Sequence, residues 1–240
     1  MRRFFARPEQ FTGSYVVLAE EETRHLRDVL RLKAGDDVRV FDGRGNEFRC
    51  SVVEIRKAAA SLKMIEQVEP AAPESDLDLT LAVSVYKSDK LDLVVQKAVE
   101  LGVSRLSPLI TARGEVKLCD TAKRLERWRK ITLEATKQCE RARIMEIDEV
   151  ASFPDYIAGV SDDTGLRLMF SEKGGDVLPE GGSKKITALV GPKGGWDDFE
   201  IELATKGGFH PVKLGSRIMR AETAAITFAA LLQFRFGDLN

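Results

Sequence analysis

Two glycine-containing turns near the carboxyl end of the chain carry residue types that suit ligand binding. The first is Gly-Pro-Lys-Gly-Gly at 191–195, directly after the apolar run 186–190, and the second begins at Leu214-Gly215. Glycine has no Cβ and tolerates positive φ, so a ligand can approach the bare backbone of such turns. If both turns end neighbouring strands, they form a pocket at the carboxyl edge of a sheet, where open α/β folds bind ligands.

The first turn matches neither of the common nucleotide-binding motifs. Gly-Pro-Lys-Gly-Gly lacks the GxGxxG spacing of a dinucleotide fingerprint, and it lacks the Gly-Lys-Ser/Thr of a P-loop. Alone, such a sequence is more often an ordinary turn. The second turn, followed by Arg-Ala-Glu-Thr at 220–223, makes a ligand site the better explanation.

The composition is that of an ordinary globular protein. The chain has 240 residues, 43% of them hydrophobic and 31% charged. No apolar run approaches the roughly 20 residues of a membrane span, and the basic amino terminus lacks the apolar region of a secretory signal, so a cytoplasmic location is expected by default. The cysteines (Cys50, Cys119 and Cys139) are far apart and only His25 and His210 are present, which argues against disulfides, metal centres and histidine-dependent triads.

The charge distribution is neutral overall but locally basic. The net charge is −1, yet residues 113–143 contain ten Lys or Arg against five acids. This segment could bind phosphates. The alternative is a solvated helix face with ion pairs such as Glu126 with Lys130.

The first 70 residues read as a small β-rich, barrel-like module. Asp37–Phe41 and Glu47–Ile55 alternate polar and apolar residues around a turn-forming sequence and predict a hairpin. A further strand is predicted from Ser61 to Val68. The two prolines within 69–76 indicate a linker, so we predict domains at 1–70 and 77–240, separated by 71–76.

Beyond the linker, strand-like and helical patterns alternate, which favours an α/β domain with a mainly parallel sheet. Ser88-Asp89 can cap the first helix, Asp197 with Glu200 resembles a capping box, and Val212–Leu214 is the last predicted strand. The terminal helix, about Ala221–Phe236, is apolar nearly all round. It must be buried on several sides, in a core or at a subunit interface.

These motifs closely resemble the signature of the RsmE-like 16S ribosomal RNA uridine-N3 methyltransferases, a family of the SPOUT class. The resemblance extends over most of the chain. In the carboxyl-terminal half it is carried by 191–196 (Gly-Pro-Lys-Gly-Gly-Trp), 214–224 (Leu-Gly-Ser-Arg-Ile-Met-Arg-Ala-Glu-Thr-Ala), 87–90 (Lys-Ser-Asp-Lys) with 95–103, and 128–131 (Trp-Arg-Lys-Ile) with 134–139 and Arg141. In the amino-terminal module it is carried by 24–26, 29–31 and 41–43.

The resemblance implies a PUA-like β-barrel followed by a SPOUT-type α/β domain whose chain threads as a trefoil knot. It implies S-adenosylmethionine bound in a bent shape by backbone groups of the knot loops, without a metal, and a homodimer whose active sites are completed at the interface. The cofactor-binding residues it implies are Phe170, Ser171, Glu172, Val190, Gly191, Pro192, Gly194, Gly195, Leu214, Gly215, Ile218, Met219, Arg220 and Thr223. The family usually carries Glu where this chain has Lys193, so no catalytic duty is expected of that side chain.

The implied substrate assigns further roles. N3 of uracil must lose its proton before or during attack on the sulfonium methyl, and the negative charge spreads onto O2 and O4. Our hypothesis is that Arg220 or Arg217 stabilises this charge, while Glu222 orients the arginine or accepts a proton. The alternative for Glu222 is a first-turn carboxylate favoured by the helix dipole. The arginines expected to contact RNA phosphates are Arg24, Arg27, Arg31, Arg44, Arg113 and Arg141.

Two other functions stay open on the sequence. A knotted relative could methylate a ribose 2′-hydroxyl or another base in tRNA or rRNA. A non-catalytic RNA-binding protein of ribosome assembly could have kept the fold, and this protein would not bind S-adenosylmethionine. The expected partner in either methyltransferase interpretation is RNA, with 16S rRNA of the small ribosomal subunit favoured.

Overall fold

The computed structural model describes residues 2–86, 89–114, 116, 121–160, 164–181 and 183–239. The chain forms two compact units: the first comprises 1–74 with 136–144, and the second comprises 75–135 with 145–240. Residues 136–144, predicted to belong to the second domain, lie in the first unit. Outside the described residues lie Ser88 of the predicted helix cap, Lys87 of the motif 87–90, Cys119, and residues 115 and 117–120 of the basic segment.

The first unit is built on a mixed sheet. Its described strands, in the spatial order β1-β4-β5-β6-β3-β2, are β1 (Arg3–Phe5), β2 (Phe11–Thr12), β3 (Tyr15–Leu18), β4 (Asp37–Phe41), β5 (Glu47–Ile55) and β6 (Ala60–Val68). β1 pairs with β4 in parallel, and the other neighbours are antiparallel. Helix α1 (Glu20–Arg24) continues into a π-helical turn, His25–Val29.

The predicted hairpin is confirmed. β4 and β5 pair from Asp37 opposite Ser51 to Phe41 opposite Glu47. The carboxylate of Asp42 closes the loop, because it accepts hydrogen bonds from the backbone N–H groups of Arg44 and Asn46 at 2.7 and 3.1 Å.

The predicted parallel sheet is confirmed in the second unit. The described strands run in the spatial order β10-β8-β7-β12-β11-β13, with β9 beside β8, and their pairings are parallel. They are β7 (Asp78–Ser84), β8 (Arg105–Ile110), β9 (Glu146–Ile147), β10 (Ala151–Ser152), β11 (Leu166–Phe170), β12 (Lys185–Val190) and β13 (His210–Val212). The helices are α2 (Lys90–Glu100), α3 (Ala122–Gln138), α4 (Phe153–Gly159), α5 (Asp198–Lys206) and α6 (Ala221–Phe236).

Local signals place most helix ends correctly. Asp197 and Glu200 form the predicted capping box of α5, and α6 has the predicted bounds. Asp89 is the N-cap residue of α2, but its side chain makes no capping hydrogen bond. The last strand was predicted too late: β13 ends at Val212, because pairing with β11 stops where β11 itself ends.

Parallel pairing brings the carboxyl ends of β7, β11 and β12 to one edge of the sheet. The first glycine turn follows β12, and eight residues, which include the second turn, separate β13 from α6. Helix α6 packs against α2, β7 and β12. Both turns and the start of α6 thus belong to this edge of the second unit.

Candidate active site

The first glycine turn is attached to the end of β11. Trp196, directly behind the turn, is 4% exposed, and its Nε1 donates a hydrogen bond to the backbone oxygen of Phe170 at 2.9 Å. A Cβ at Gly191 would lie 2.8 Å from the indole ring, so only glycine lets the backbone lie against Trp196. The ends of β11 and β12 are thereby held together.

Gly195 is required for two separate reasons. Its φ is +69°, in the left-handed region that other residues rarely adopt. In addition, a Cβ at this position would collide with the carboxylate of Glu172. The side chain of Glu172, just beyond β11, therefore reaches the first glycine turn.

The second glycine turn is open. Gly215 also has φ +69°, but a Cβ there would meet no atom of the described residues within 4 Å. Ile218 is 84% exposed. The positive φ explains the glycine, and the absence of neighbouring atoms leaves the outer face of this turn accessible.

A cavity of about 570 Å³ lies beside the first turn, within the second unit. Its charged lining residues among those described are Lys90, Arg113, Lys193 and Glu222, and Tyr86 contributes an aromatic wall. Basic groups therefore outnumber the single carboxylate, and the cavity favours an anionic ligand or a developing negative charge.

A narrower cavity of about 30 Å³ adjoins it and shares Pro192, Lys193 and Ala221. Its lining contains residues from all three predicted cofactor loops: Phe170, Glu172, Val190, Gly191, Pro192, Gly195 and Met219. Trp196, Ala221 and Ala224 complete it. The structure therefore brings the predicted loops together around one cleft.

An ion pair lies in the wall of the larger cavity. The Nζ of Lys90, the first residue of α2, lies 2.7 Å from Oε1 of Glu222, in the first turn of α6. Burial alone would raise the pKa of Glu222. The hydrogen bond from Lys90 opposes that effect, as do its own backbone N–H and the charges of Lys90 and Arg220, and the resulting pKa lies below its usual value. Glu222 is consequently ionised at neutral pH.

Tyr86 forms the buried side of this wall. It is 7% exposed, and its hydroxyl is enclosed without a hydrogen-bond partner in the described part of the chain. Burial raises the pKa of Tyr86, and the charge of Glu222 adds to the effect. The phenol is therefore neutral, and no feature of the sequence had singled it out.

Among the remaining predicted cofactor residues, Gly194 lines the larger cavity and the others line neither cavity. The residues outside both linings are Ser171, Leu214, Gly215, Ile218, Arg220 and Thr223. Of the predicted catalytic residues, Glu222 lines the larger cavity, whereas Arg217 and Arg220 are exposed and lie outside both linings. Lys90 was not predicted as a site residue, but it lies beside Glu222, where an arginine was expected.

The predicted RNA-binding arginines have different environments. In the first unit, Arg24, Arg31 and Arg44 are exposed. Arg27 is half-buried, pairs with Asp28 at 2.7 Å and donates to the backbone oxygen of Lys57.

Arg141 corrects one prediction. Its side chain is 6% exposed and pairs with Glu74 at 2.6 Å. A buried, paired guanidinium is not a phosphate contact on the surface, so Arg141 has a structural role within the first unit. Local charge counting missed this because Glu74 lies 67 residues away along the chain.

Arg113 belongs to the cavity of the second unit. It donates to the backbone oxygen of Gly194 at 3.3 Å and pairs with Asp197 at 3.2 Å. It thus connects the first turn to the start of α5 while facing the larger cavity.

Neither a metal-binding cluster nor a membrane-spanning helix is found among the described residues. They contain no group of three or more His, Cys, Asp or Glu side chains placed to hold a metal ion. None of their helices is both long and apolar enough to cross a membrane. Cys50 is buried and Cys139 is half-buried, and both are free thiols.

Comparisons with known proteins agree with this architecture. An RNA methyltransferase domain model matches residues 73–233, and an RNA methyltransferase PUA domain model matches 18–65. The chain is 35% identical over 226 residues to Ribosomal RNA small subunit methyltransferase E of Rickettsia conorii, covering 91% of this chain and 89% of that protein. The protein of the same name from Synechocystis is 32% identical over 230 residues, covering 92% and 74%.

A solved structure extends the similarity to three dimensions. The Neisseria gonorrhoeae Ribosomal RNA small subunit methyltransferase E bound to S-adenosyl methionine has a TM-score of 0.90 and 30% identity, with 100% of each chain covered. The family models, the curated relatives and this structure all lead to the same assignment. The chain belongs to the ribosomal RNA small subunit methyltransferase E family.

Proposed function

We propose that this protein transfers the methyl group of S-adenosylmethionine to N3 of a specific uridine in 16S ribosomal RNA. The names of its relatives support the reaction class and the RNA. The observation that carries the proposal is the cleft formed by all three cofactor loops beside a cationic cavity. We also propose a cytoplasmic location, where ribosomal RNA is modified.

The residues of the cleft fit the methyl donor. Gly191 and Gly195 line the narrower cavity together with Glu172, whose carboxylate is a suitable acceptor for ribose hydroxyls. The adjoining cavity of about 570 Å³ falls within the range of roughly 300–1,000 Å³ usual for small-molecule sites, so it offers room for the target base. When bound, the donor supplies an electrophilic methyl group on a sulfonium. We propose that the backbone of the three loops holds it, including the predicted residues that lie outside the two linings.

The protein's own residues then position the base and manage its charge. Glu222 is ionised, and it is fixed to Lys90. We assign Glu222 the orienting role, because its carboxylate is engaged by the ammonium group of Lys90 and a lowered pKa makes it a weaker proton acceptor. In-line positioning of N3 against the methyl carbon contributes much of the remaining rate enhancement.

The exposed arginines of the first unit are proposed to bind the RNA backbone. Arg24, Arg31 and Arg44 present their guanidinium groups to solvent, and arginine pairs with phosphate in bidentate geometry. Such contacts predict that the affinity for RNA falls steeply as salt rises. An affinity that is unchanged between low and moderate salt would contradict this assignment.

We also propose a trefoil-knotted second unit and a homodimer, as the family resemblance implies. Phe234, near the end of α6, is 58% exposed, and Leu239 is 46% exposed, so both apolar side chains are available to be covered in such a dimer. Phe234→Glu should shift the protein from dimer to monomer in sedimentation equilibrium. A wild-type protein that is monomeric at micromolar concentration would contradict the dimer.

One experiment tests the reaction. The protein is incubated with isotope-labelled S-adenosylmethionine and small ribosomal subunits from a strain lacking it, and the labelled nucleoside is identified by mass spectrometry. We expect N3-methyluridine in 16S rRNA. Label in a ribose 2′-O-methyl group or in another base would assign a different methylation, and absence of both label and donor binding in calorimetry would indicate a non-catalytic RNA-binding protein.

A further inference from the structure

We propose that Lys90 is a catalytic residue: its ammonium group contacts the target uracil and stabilises the negative charge that develops when N3 loses its proton. Glu222 is the positioning residue that holds Lys90 in place. This inference rests on the proposed function and assigns the cation that the sequence analysis sought at Arg217 or Arg220.

The location of Lys90 carries the first step. It lines the larger cavity together with Glu222, next to the first glycine turn. Arg217 and Arg220 are exposed and line neither this cavity nor the narrower one. A cation can stabilise charge on a base only if it faces the space that the base occupies.

Preorganisation separates Lys90 from the other cations of the cavity. Its Nζ is fixed at 2.7 Å from Glu222, whose side chain is only 16% exposed. Both terminal nitrogens of Arg113 already bond to Gly194 and Asp197, whereas Lys90 has three N–H donors and directs one of them at Glu222. Lys193 is exposed. A fixed charge needs little reorganisation when negative charge forms beside it, which is the property that makes electrostatic catalysis effective.

A purely structural explanation for the pair is weak. Lys90 is the first residue of α2, where the helix dipole disfavours a cation. Its side chain is 42% exposed, and ion pairs with one half-exposed member contribute little to stability. The pair is therefore better explained by the cavity that it faces than by the stability of α2.

In the proposed step, N3 loses its proton to water, and Lys90 keeps its own proton while it faces O2 or O4 of the base. The N3 electron pair forms the new bond to the methyl carbon. The carbon–sulfur bond breaks, its electron pair stays on sulfur, and the positive charge of the sulfonium is thereby cancelled.

The test compares two lysines of α2. Lys90→Met removes the ammonium group but keeps a flexible chain. Lys97→Met is the matched control, because Lys97 also pairs with a carboxylate, Glu100 at 2.7 Å, with 36% of its side chain exposed, and lines neither cavity. We expect kcat to fall about 10²-fold for Lys90→Met, with Lys97→Met within about twofold of wild type. Lys90→Arg should restore part of the rate.

Two further readouts separate charge stabilisation from a structural defect. The donor affinity from calorimetry and the RNA affinity measured without donor should change by less than about threefold, since the interaction forms mainly in the transition state. The ratio of wild-type to Lys90→Met kcat should shrink as pH rises, because alkaline solution ionises N3 without assistance. A misplaced helix would give a ratio independent of pH.

Undiminished kcat in Lys90→Met, or a loss confined to RNA or donor affinity, would overturn the assignment. If Lys90→Met does not fold, Lys90→Gln serves in the same comparisons. A wild-type protein that forms no N3-methyluridine would overturn the proposed function as well, whereas an active wild type with a fully active Lys90→Met overturns this inference alone.

Discussion

Replacing Gly195 with alanine tests whether the first glycine turn is a shaped binding surface or an ordinary turn. The left-handed backbone at φ +69° costs a residue with a Cβ roughly 1–2 kcal/mol. Loss of unfolded-chain entropy offsets about 0.4–1 kcal/mol of this. Backbone strain alone should therefore lower the free energy of unfolding by about 1 kcal/mol, or about 2–4 °C in the thermal midpoint.

The collision with Glu172 adds a second effect. The new Cβ must displace the Glu172 carboxylate, and this side chain lines the narrower cavity. We expect the affinity for S-adenosylmethionine to fall at least about tenfold, which corresponds to about 1.4 kcal/mol of binding free energy. Isothermal titration calorimetry measures this loss directly.

Two other glycines separate the contributions. Gly215→Ala carries the same positive φ without any neighbouring atom within 4 Å, so it should reproduce the strain alone. At Gly194, the nearest atom to an added Cβ is the Cβ of Arg113 at 3.4 Å, an ordinary contact. Gly194→Ala should therefore keep its stability and bind the donor within about threefold of wild type. Equal donor affinity in Gly195→Ala and Gly194→Ala would refute the reasoning.

Three further predictions concern other sites. Burial raises the pKa of Cys50 to about 12. The neutral thiol's contribution to stability is therefore complete below the ordinary pKa of a thiol and is lost as pH rises toward 12. The thermal unfolding midpoint should fall more steeply between pH 9 and 11 for wild type than for Cys50→Ala, and equal slopes would contradict this pH dependence. Arg141→Met leaves Glu74 without its guanidinium partner and should cost about 1.5–3 kcal/mol of unfolding free energy, while RNA affinity measured on folded protein at low temperature should not change. Trp196→Phe removes the hydrogen bond to Phe170 and should cost about 1–3 kcal/mol, with weaker donor binding in calorimetry; unchanged binding would show that the two strand ends need no such link.

The sequence predicted the elements whose determinants are local. The hairpin closed by Asp42 and the capping box of Asp197 and Glu200 each depend on residues within a few positions of one another. The bounds of α6 follow from its apolar composition and from the glycine that follows it, Gly237. In all these cases the interaction that fixes the structure lies inside the window that a pattern can cover.

The interactions that were missed join distant parts of the chain. Lys90 and Glu222 are 132 residues apart, and Arg141 and Glu74 are 67 apart. Either lysine or arginine satisfies the same electrostatic requirement, so charge type alone could not identify the partner of Glu222. Resemblance indicated the cofactor loops, but it could not tell which of their residues line the cleft, since that depends on side-chain direction at each strand end.

The glycines of the site show why composition alone underdetermines function. Gly191 is required by the Trp196 ring, Gly195 by both φ and Glu172, and Gly215 by φ alone. A turn that only reverses the chain needs a glycine for its positive φ alone, as at Gly215. Gly191 and Gly195 are needed where the side chains of Trp196 and Glu172 pack against the turn's backbone, and both of these side chains also line the narrower cavity. Side chains packed against its backbone therefore distinguish the first turn from one that only reverses the chain, and this agrees with the proposed donor site.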